Sequence, residues 1–284
     1  MKVVHGPQEF RAACAEARKR GARVGLVPTM GALHDGHMQL VAEARERADF
    51  VAVSIFVNPM QFGPNEDLAR YPRTLGADLD RCREHGVDLV FAPAPDAMYP
   101  AGFASKVEVS GLTEVLDGVF RPGHFAGVCT VVTKLFQLTG ESVAIFGRKD
   151  YQQYRVLARM ALDLDMPIDV VGIPTVRESD GLALSSRNRY LADDERERAL
   201  AIARGLRAAN GAFRDGERSV ATLDRLVRQP IAAAFDSIDY VSVADPDTLA
   251  PAIDGAPRMM ALVAARIGAT RLIDNLVFGE DPSP

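Results

Sequence analysis

Five short apolar runs alternate with stretches of helical spacing, and this alternation constrains the fold more than any other feature. The runs are Arg23-Val-Gly-Leu-Val27, Phe50-Val-Ala-Val-Ser-Ile-Phe-Val57, Asp88-Leu-Val-Phe-Ala92, Ser142-Val-Ala-Ile-Phe146 and Pro167-Ile-Asp-Val-Val-Gly-Ile173. Runs of this length with little polar alternation read as strands buried on both faces of a parallel sheet. Residues 8–20 place Phe10, Ala13, Cys14 and Ala17 on one stripe, with Gly21 positioned to end the helix. Leu40, Val41, Ala44 and Ala48 do the same over 38–48. Residues 74–85 read as a helix capped by Thr74, and 128–138 and 154–164 as two more. Lys106-Val-Glu-Val109 reads as a short edge strand. Strands alternating with helices predict an α/β fold, a doubly wound parallel sheet with right-handed crossovers.

The texture changes after Tyr190. Residues 193–209 and 219–235 read as helices, Asp239-Tyr-Val-Ser-Val-Ala244 alternates as a half-buried strand, and 258–267 and 270–276 read as two strands joined at Gly268. A smaller C-terminal α+β domain is expected, with residues 1–176 and 177–284 as the two domains and a frayed tail over 279–284.

In open parallel sheets, ligands bind beyond the carboxyl ends of the strands. The chemically loaded stretches fall there: residues 29–37, 58–61, 147–153 and, a little further on, 184–187. The first is Pro28-Thr-Met-Gly-Ala-Leu-His-Asp-Gly-His37. Its glycines, Gly31 and Gly36, permit positive φ or a close approach of backbone to ligand. A helix starting near Gly36 offers free N–H groups and a positive dipole end to an anion. Histidines three residues apart put both imidazoles on one side of that opening, which suits a polyphosphate. Taken alone, His-x-x-His is a pair of surface or capping histidines, or a metal pair. The strand before it and the helix after it favour the nucleotide. Zinc would want more ligands, and His5, His85 and His124 are not closely spaced with the pair.

Composition removes several classes. At 284 residues with 48% hydrophobic and 25% charged residues, the chain reads as an ordinary globular protein. A net charge of −5 supplies no global basic field for nucleic acid, so any anion site is built locally. Three widely spaced cysteines, Cys14, Cys82 and Cys129, suggest neither a disulfide framework nor a zinc site and fit a reducing compartment. The first seven residues lack an apolar core of signal-peptide length, and no apolar run reaches the length of a membrane span. A cytoplasmic enzyme, with no membrane or nucleic-acid partner, is the expectation.

His-x-Gly-His resembles the ATP-binding signature of the nucleotidylyltransferases and class I aminoacyl-tRNA synthetases. Six further stretches sharpen the likeness: Phe56-Val-Asn-Pro-Met-Gln-Phe-Gly63, Tyr71-Pro-Arg-Thr74, Arg121-Pro-Gly-His-Phe125, Gly147-Arg-Lys-Asp-Tyr-Gln-Gln153, Gly181-Leu-Ala-Leu-Ser-Ser-Arg-Asn188 and Arg271-Leu-Ile-Asp-Asn275. With these in order, the chain resembles the pantoate–β-alanine ligases over nearly its whole length. The resemblance implies a Rossmann-like ATP- and pantoate-binding domain of the nucleotidylyltransferase type, a smaller C-terminal lid domain and a homodimer. It also implies a reaction in two steps. The carboxylate of (R)-pantoate attacks the α-phosphate of ATP to give pantoyl adenylate and pyrophosphate. The amine of β-alanine then displaces AMP to give pantothenate.

The resemblance assigns roles residue by residue. Met30, Gly31, Ala32, Leu33, His34, Asp35, Gly36 and His37 bind ATP, with His34 and His37 on the phosphates and His37 as proton donor toward pyrophosphate. Gly147, Arg148, Lys149, Asp150 and Val176 line the nucleotide, and Lys149 neutralises the transferring phosphate. Leu184, Ser185, Ser186 and Arg187 form the counterpart of the synthetases' second signature, holding the β- and γ-phosphates. Gln61 and Gln153 clamp pantoate, and Gln61 also touches β-alanine. Mg²⁺ bridges the phosphates, held mostly by water and substrate oxygens, with Asp78 as the candidate protein ligand. Arg148 departs from the glutamate often found there, and Leu184 replaces a methionine of some members. The plain alternatives are a solvated surface lysine for Lys149, an ordinary loop for Ser185-Ser186-Arg187, a solvated helix carboxylate for Asp78 and pure core for Met30; Arg121 and His124, outside the catalytic set, either order a flap or merely cap a helix.

Two rivals remain at this level. An adenylyltransferase that stops at moving AMP onto a phosphate ester would need no amine, and the two glutamines, suited to a small hydroxy acid, count against it. A nucleotide-binding module without turnover would have lost its phosphate cations, yet His34, His37, Lys149 and Arg187 are all present. A tRNA-charging enzyme is disfavoured by size and by the lack of a basic anticodon-binding region.

Overall fold

The computed structural model describes residues 1–64 and 66–284. In chain order these form β1 (Lys2–Val4), α1 (Pro7–Lys19), β2 (Val24–Thr29), α2 (Asp35–Arg47), β3 (Phe50–Ile55), α3 (Leu75–Glu84), β4 (Leu89–Phe91), α4 (Pro95–Met98), α5 (Asp117–Phe120) and α6 (His124–Thr139). Then come β5 (Ser142–Gly147), α7 (Tyr151–Asp163), β6 (Ile168–Ile173), α8 (Asp193–Arg214), α9 (Val220–Ala234), β7 (Ser237–Ala244), β8 (Met260–Ile267) and β9 (Thr270–Val277). Single 3₁₀ turns occupy Pro59–Gln61, Asp67–Ala69, Arg148–Asp150 and Ser186–Tyr190.

The described residues divide into two compact units, one of Met1–Arg148 and Gln152–Ile173, the other of Lys149–Tyr151 and Pro174–Pro284. The first carries a six-stranded sheet in the order β1-β4-β3-β2-β5-β6, with every pairing parallel. The doubly wound parallel sheet expected from the apolar runs is the one found. Val24, Leu26, Val27, Val51, Ala52, Val53, Val143, Ala144 and Ile145 are fully buried, as strands covered on both faces must be. One face packs on α1 and α6, where Phe10 stacks on Phe91 with ring centroids 4.7 Å apart. Such a pair contributes about 1 kcal/mol beyond its buried area. Cys14 and Cys129 belong to this core, and Cys82 to the core on the other face. All three thiols are pushed up to between about 11 and 12, first by burial, so none is a ready nucleophile.

Two local expectations are corrected, and one strand was not foreseen. Lys2–Val4 forms β1 by pairing with Leu89, Val90 and Phe91; three residues are too few to show a period. The strand expected over 106–109 is absent, and Val107 N instead donates to Thr130 Oγ1 at 3.0 Å. Thr74 sits at the N-cap of α3, yet its hydroxyl lies 3.2 Å from both oxygens of Asp78 rather than capping a backbone N–H.

In the second unit, β7, β8 and β9 form an antiparallel sheet in that order. Helices α8 and α9 cover it through Leu206, Phe213, Leu223, Val227 and Ile231. No helix among the described residues is long and apolar enough to cross a membrane.

Candidate active site

Strand order reverses between β2 and β5, and open parallel sheets bind ligands at that point. The chain leaves β2 through Met30 and turns sharply. Gly31 has φ +79° and Ala32 φ +50°. A Cβ on Gly31 would lie 3.0 Å from Asp78 Oδ2 and 3.1 Å from Ile55 Cγ2, so the position admits only glycine. Ala32 bears the same left-handed backbone with a side chain, at about 1 kcal/mol of strain.

Asp78 holds this strained turn. Its Oδ2 accepts the N–H of Ala32 at 3.1 Å, and its Oδ1 accepts the N–H of Leu33 at 2.8 Å. The residue is 2% exposed, so these bonds replace lost water on a buried carboxylate.

His34 is the N-cap of α2, and its backbone N–H donates to His37 Nδ1 at 3.2 Å. Because Nδ1 accepts, the ring proton of a neutral His37 sits on Nε2. The two imidazole centroids are 4.1 Å apart, at the amino end of the helix. Asp35 pairs with Arg81 at 2.8 Å in solvent, and that hydrogen bond holds its carboxyl below the ordinary value.

Gln61 ends the 3₁₀ turn beyond β3 and is 8% exposed. Asn58 Nδ2 donates to its Oε1 at 3.0 Å, and its Nε2 reaches Met30 Sδ at 3.3 Å. Asn58 also donates to Gly127 O and accepts from Tyr99 Oη. Helix α6 presses on this turn: a Cβ on Gly127 would fall 2.2 Å from Met60 O and 2.6 Å from Gln61 N.

The motif Arg121-Pro-Gly-His-Phe125, given no role from sequence, serves the same turn. His124 Nδ1 donates to Gln61 O at 2.8 Å, and its Nε2 accepts from Arg121 at 2.9 Å. Arg121 grips both oxygens of Glu66 at 2.7 Å. Burial first, then the Arg121 charge, brings His124 down to about 4. Burial pushes Glu66 up, but the Arg121 hydrogen bond and charge prevail and leave it below its ordinary value. Only a histidine and arginine three residues apart hinted at this cluster; its glutamate lies 55 residues upstream of Arg121.

Gly147 ends β5 and Arg148 opens the following 3₁₀ turn. Gln153 is half-buried at the start of α7. Its neighbour Gln152 is consumed by structure: it accepts from Asp117 N and donates to Leu112 O and Val115 O.

The second unit carries the other expected residues. Lys149 Nζ lies 3.8 Å from Asp150 Oδ2, with its side chain 19% exposed. Val176 and Leu184 are joined by a hydrogen bond, Leu184 N to Val176 O, at 3.0 Å. They stand at the mouth of a small hairpin whose rung is Arg177 with Ala183. Ser185 caps the 3₁₀ turn that follows, its Oγ accepting from Arg187 N at 3.2 Å. Ser186 and Arg187, both half-buried, open that turn. Asn188 ties it back to Glu178 and Ala183 O, at 3.0 Å each.

Among the described residues no three His, Cys, Asp or Glu side chains cluster to hold a metal. Both oxygens of Asp78 are taken by Ala32, Leu33 and Thr74, so it fits poorly as a ligand.

Residues 2–277 match the pantoate-beta-alanine ligase family. Pantothenate synthetase 1 of Bradyrhizobium diazoefficiens is 52% identical over 285 residues, covering 100% of both chains. The pantothenate synthetase of Moorella thermoacetica is 53% identical over 264 residues, 93% of each. Among solved structures, the pantothenate synthetase of Thermus thermophilus superposes with a TM-score of 0.93 at 48% identity, covering 99% of this chain and 100% of that one. The pantoate-beta-alanine ligase of Francisella tularensis, complexed with beta-gamma ATP and beta-alanine, superposes with a TM-score of 0.80 at 32% identity over 100% of both chains.

Proposed function

The chain belongs to the pantoate-beta-alanine ligase family, and from that premise we propose how its residues divide the work. The activity is ATP-dependent ligation of pantoate to β-alanine. Its first step makes pantoyl adenylate. The pantoate carboxylate is already ionised at neutral pH, so the step needs alignment and charge neutralisation rather than a base.

His34, His37 and the amino end of α2 receive the phosphates. The hydrogen bond from His34 N to His37 Nδ1 is the observation that carries this reading, because it puts the proton of a neutral ring on Nε2, the donor this reading aims at departing pyrophosphate. Met30, Gly31, Ala32, Leu33, Asp35, Gly36, Gly147, Arg148, Asp150, Val176 and Leu184 contact the nucleotide. Lys149 neutralises the transferring phosphate as a point charge, and Ser185, Ser186 and Arg187 hold the β- and γ-phosphates. Ser185 spends an oxygen lone pair on Arg187 N and keeps its O–H for a phosphate oxygen.

Gln61 and Gln153 clamp pantoate, each amide able to donate and accept. Gln61, fixed by Asn58 and His124, also meets β-alanine. In the second step the β-alanine amine attacks the activated carbonyl, AMP leaves, and the amine's proton passes to water. Mg²⁺, when bound with the nucleotide, would supply charge that offsets the phosphates, while Asp78 serves the turn. A homodimer in the cytoplasm accompanies the reading.

Exchange of labelled pyrophosphate into ATP tests the first step. Pantoate alone should support it; exchange that also requires β-alanine would remove the adenylate.

A further inference from the structure

The motif Arg271-Leu-Ile-Asp-Asn275 contacts no substrate in the reading above, yet it holds two buried polar residues where a strand should be apolar. Asp274 is 5% exposed and Asn275 3%, between Ile273 and Leu276 in the edge strand β9. Asp and Asn are depleted from strands, and burying them is unfavourable unless every polar atom is served. A local violation of this kind marks a functional constraint.

Asn275 Nδ2 donates to the backbone carbonyl of Lys149 at 2.7 Å, across 126 residues of sequence. Asp274 grips Arg177 at both oxygens, 2.6 and 3.0 Å, in a pair whose side chains are 4% and 11% exposed. The same guanidinium donates to Gly181 O at 3.1 Å and Asn275 O at 3.3 Å. Arg177 and Gly181 belong to the hairpin that joins Val176 to Leu184 and leads into Ser185. Adjacent residues of one strand therefore hold the two stretches of this unit assigned to ATP.

We propose that Asp274-Asn275 is a positioning brace for adenylate formation: Asn275 fixes the Lys149 backbone, and Asp274 fixes the 177–183 hairpin through Arg177. The strand is a rigid anchor, since Asp274 and Asn275 register against Val263 and Leu262 of β8. Lysine has a flexible four-carbon stem, so the reach of its ammonium depends on where its Cα is held. A misplacement of about 1 Å at a reacting phosphate can cost on the order of a hundredfold in rate. The brace rests on the assignment of Lys149 to the transferring phosphate.

A double-mutant cycle in the full-length enzyme tests it, read as pyrophosphate exchange with ATP, Mg²⁺ and pantoate. Lys149→Ala keeps the backbone carbonyl that Asn275 grips and removes the ammonium with its stem. Asn275→Ala should lower exchange kcat about tenfold, with the KM for ATP changed by less than about threefold. In the Lys149→Ala background the same substitution should cost nothing further, because Asn275 acts through the ammonium. If Asn275→Ala does not fold, Asn275→Asp, whose carboxylate has no N–H to donate, takes its place in the cycle. Effects that multiply, or wild-type exchange in the Asn275 variant, overturn the brace while leaving Lys149 in its role. Wild-type exchange in Lys149→Ala alone overturns the assignment beneath it, and the brace with it.

Discussion

The carboxylate of Asp78 accepts the backbone N–H of Leu33 at 2.8 Å, 45 residues back along the chain. With the companion bond to Ala32, it fastens the turn that presents His34 and His37. A helix residue with the pattern of a solvated carboxylate is instead the buried clasp of the site.

Asp78→Ala leaves two buried N–H groups without an acceptor. Each orphaned donor costs about 1–3 kcal/mol, so the variant should lose about 3 kcal/mol of unfolding free energy. It should also raise the KM for ATP about tenfold or more as the turn relaxes. Urea denaturation and steady-state kinetics check both. An unchanged KM would separate the clasp from the nucleotide site.

His37→Ala and Lys149→Ala should each slow adenylate formation by about two orders of magnitude, with the fold kept. Single-turnover formation of pantoyl adenylate measures this. Near-normal turnover in either variant removes that residue from its role.

Gln153→Ala should raise the KM for pantoate more than that for ATP, because an amide clamp on the acid is lost while the phosphate contacts remain. Equal changes would contradict the clamp. Gly127→Ala should act on pantoate through Gln61: its methyl would meet Met60 O, a backbone atom that cannot swing aside. A stability loss of about 1–3 kcal/mol is expected, with a raised pantoate KM. A wild-type KM would mean that the turn yields without moving Gln61.

Much of this was legible in sequence because strands buried on both faces write themselves as unbroken apolar runs. The sheet, the turn at residues 28–37 and the exits at 58–61 and 147–153 all follow from such runs. What was not legible depended on long-range pairing. Lys2–Val4 is a strand only because Leu89–Phe91 lies beside it. Gln61 was named from its motif, but the contacts that fix it, from Asn58, Met30 and His124, follow no local pattern. Glu66 and Arg121 sit in loops without period, so nothing local announced their pairing.

The His124 ring links this cluster to pH. Its value in the folded chain, about 4, lies below the ordinary 6.5, so between these limits the unfolded chain binds more protons. Stability is fully present above pH 6.5 and declines as pH falls toward 4, by at most about 3 kcal/mol from this group. Glu66, also held below its ordinary value, adds to the acid loss. Urea unfolding from pH 7.5 to 4 should show a shallower decline for His124→Gln than for the parent. Parallel declines would mean that His124 is not held neutral.

The most direct measurement is AMP release from ATP and Mg²⁺, with pantoate and β-alanine supplied singly and together. AMP and pantothenate in equal amounts only when both acids are present, with pantoate alone supporting pyrophosphate exchange, is the expected result. A folded protein that binds ATP but releases no AMP with both acids present would contradict the ligase.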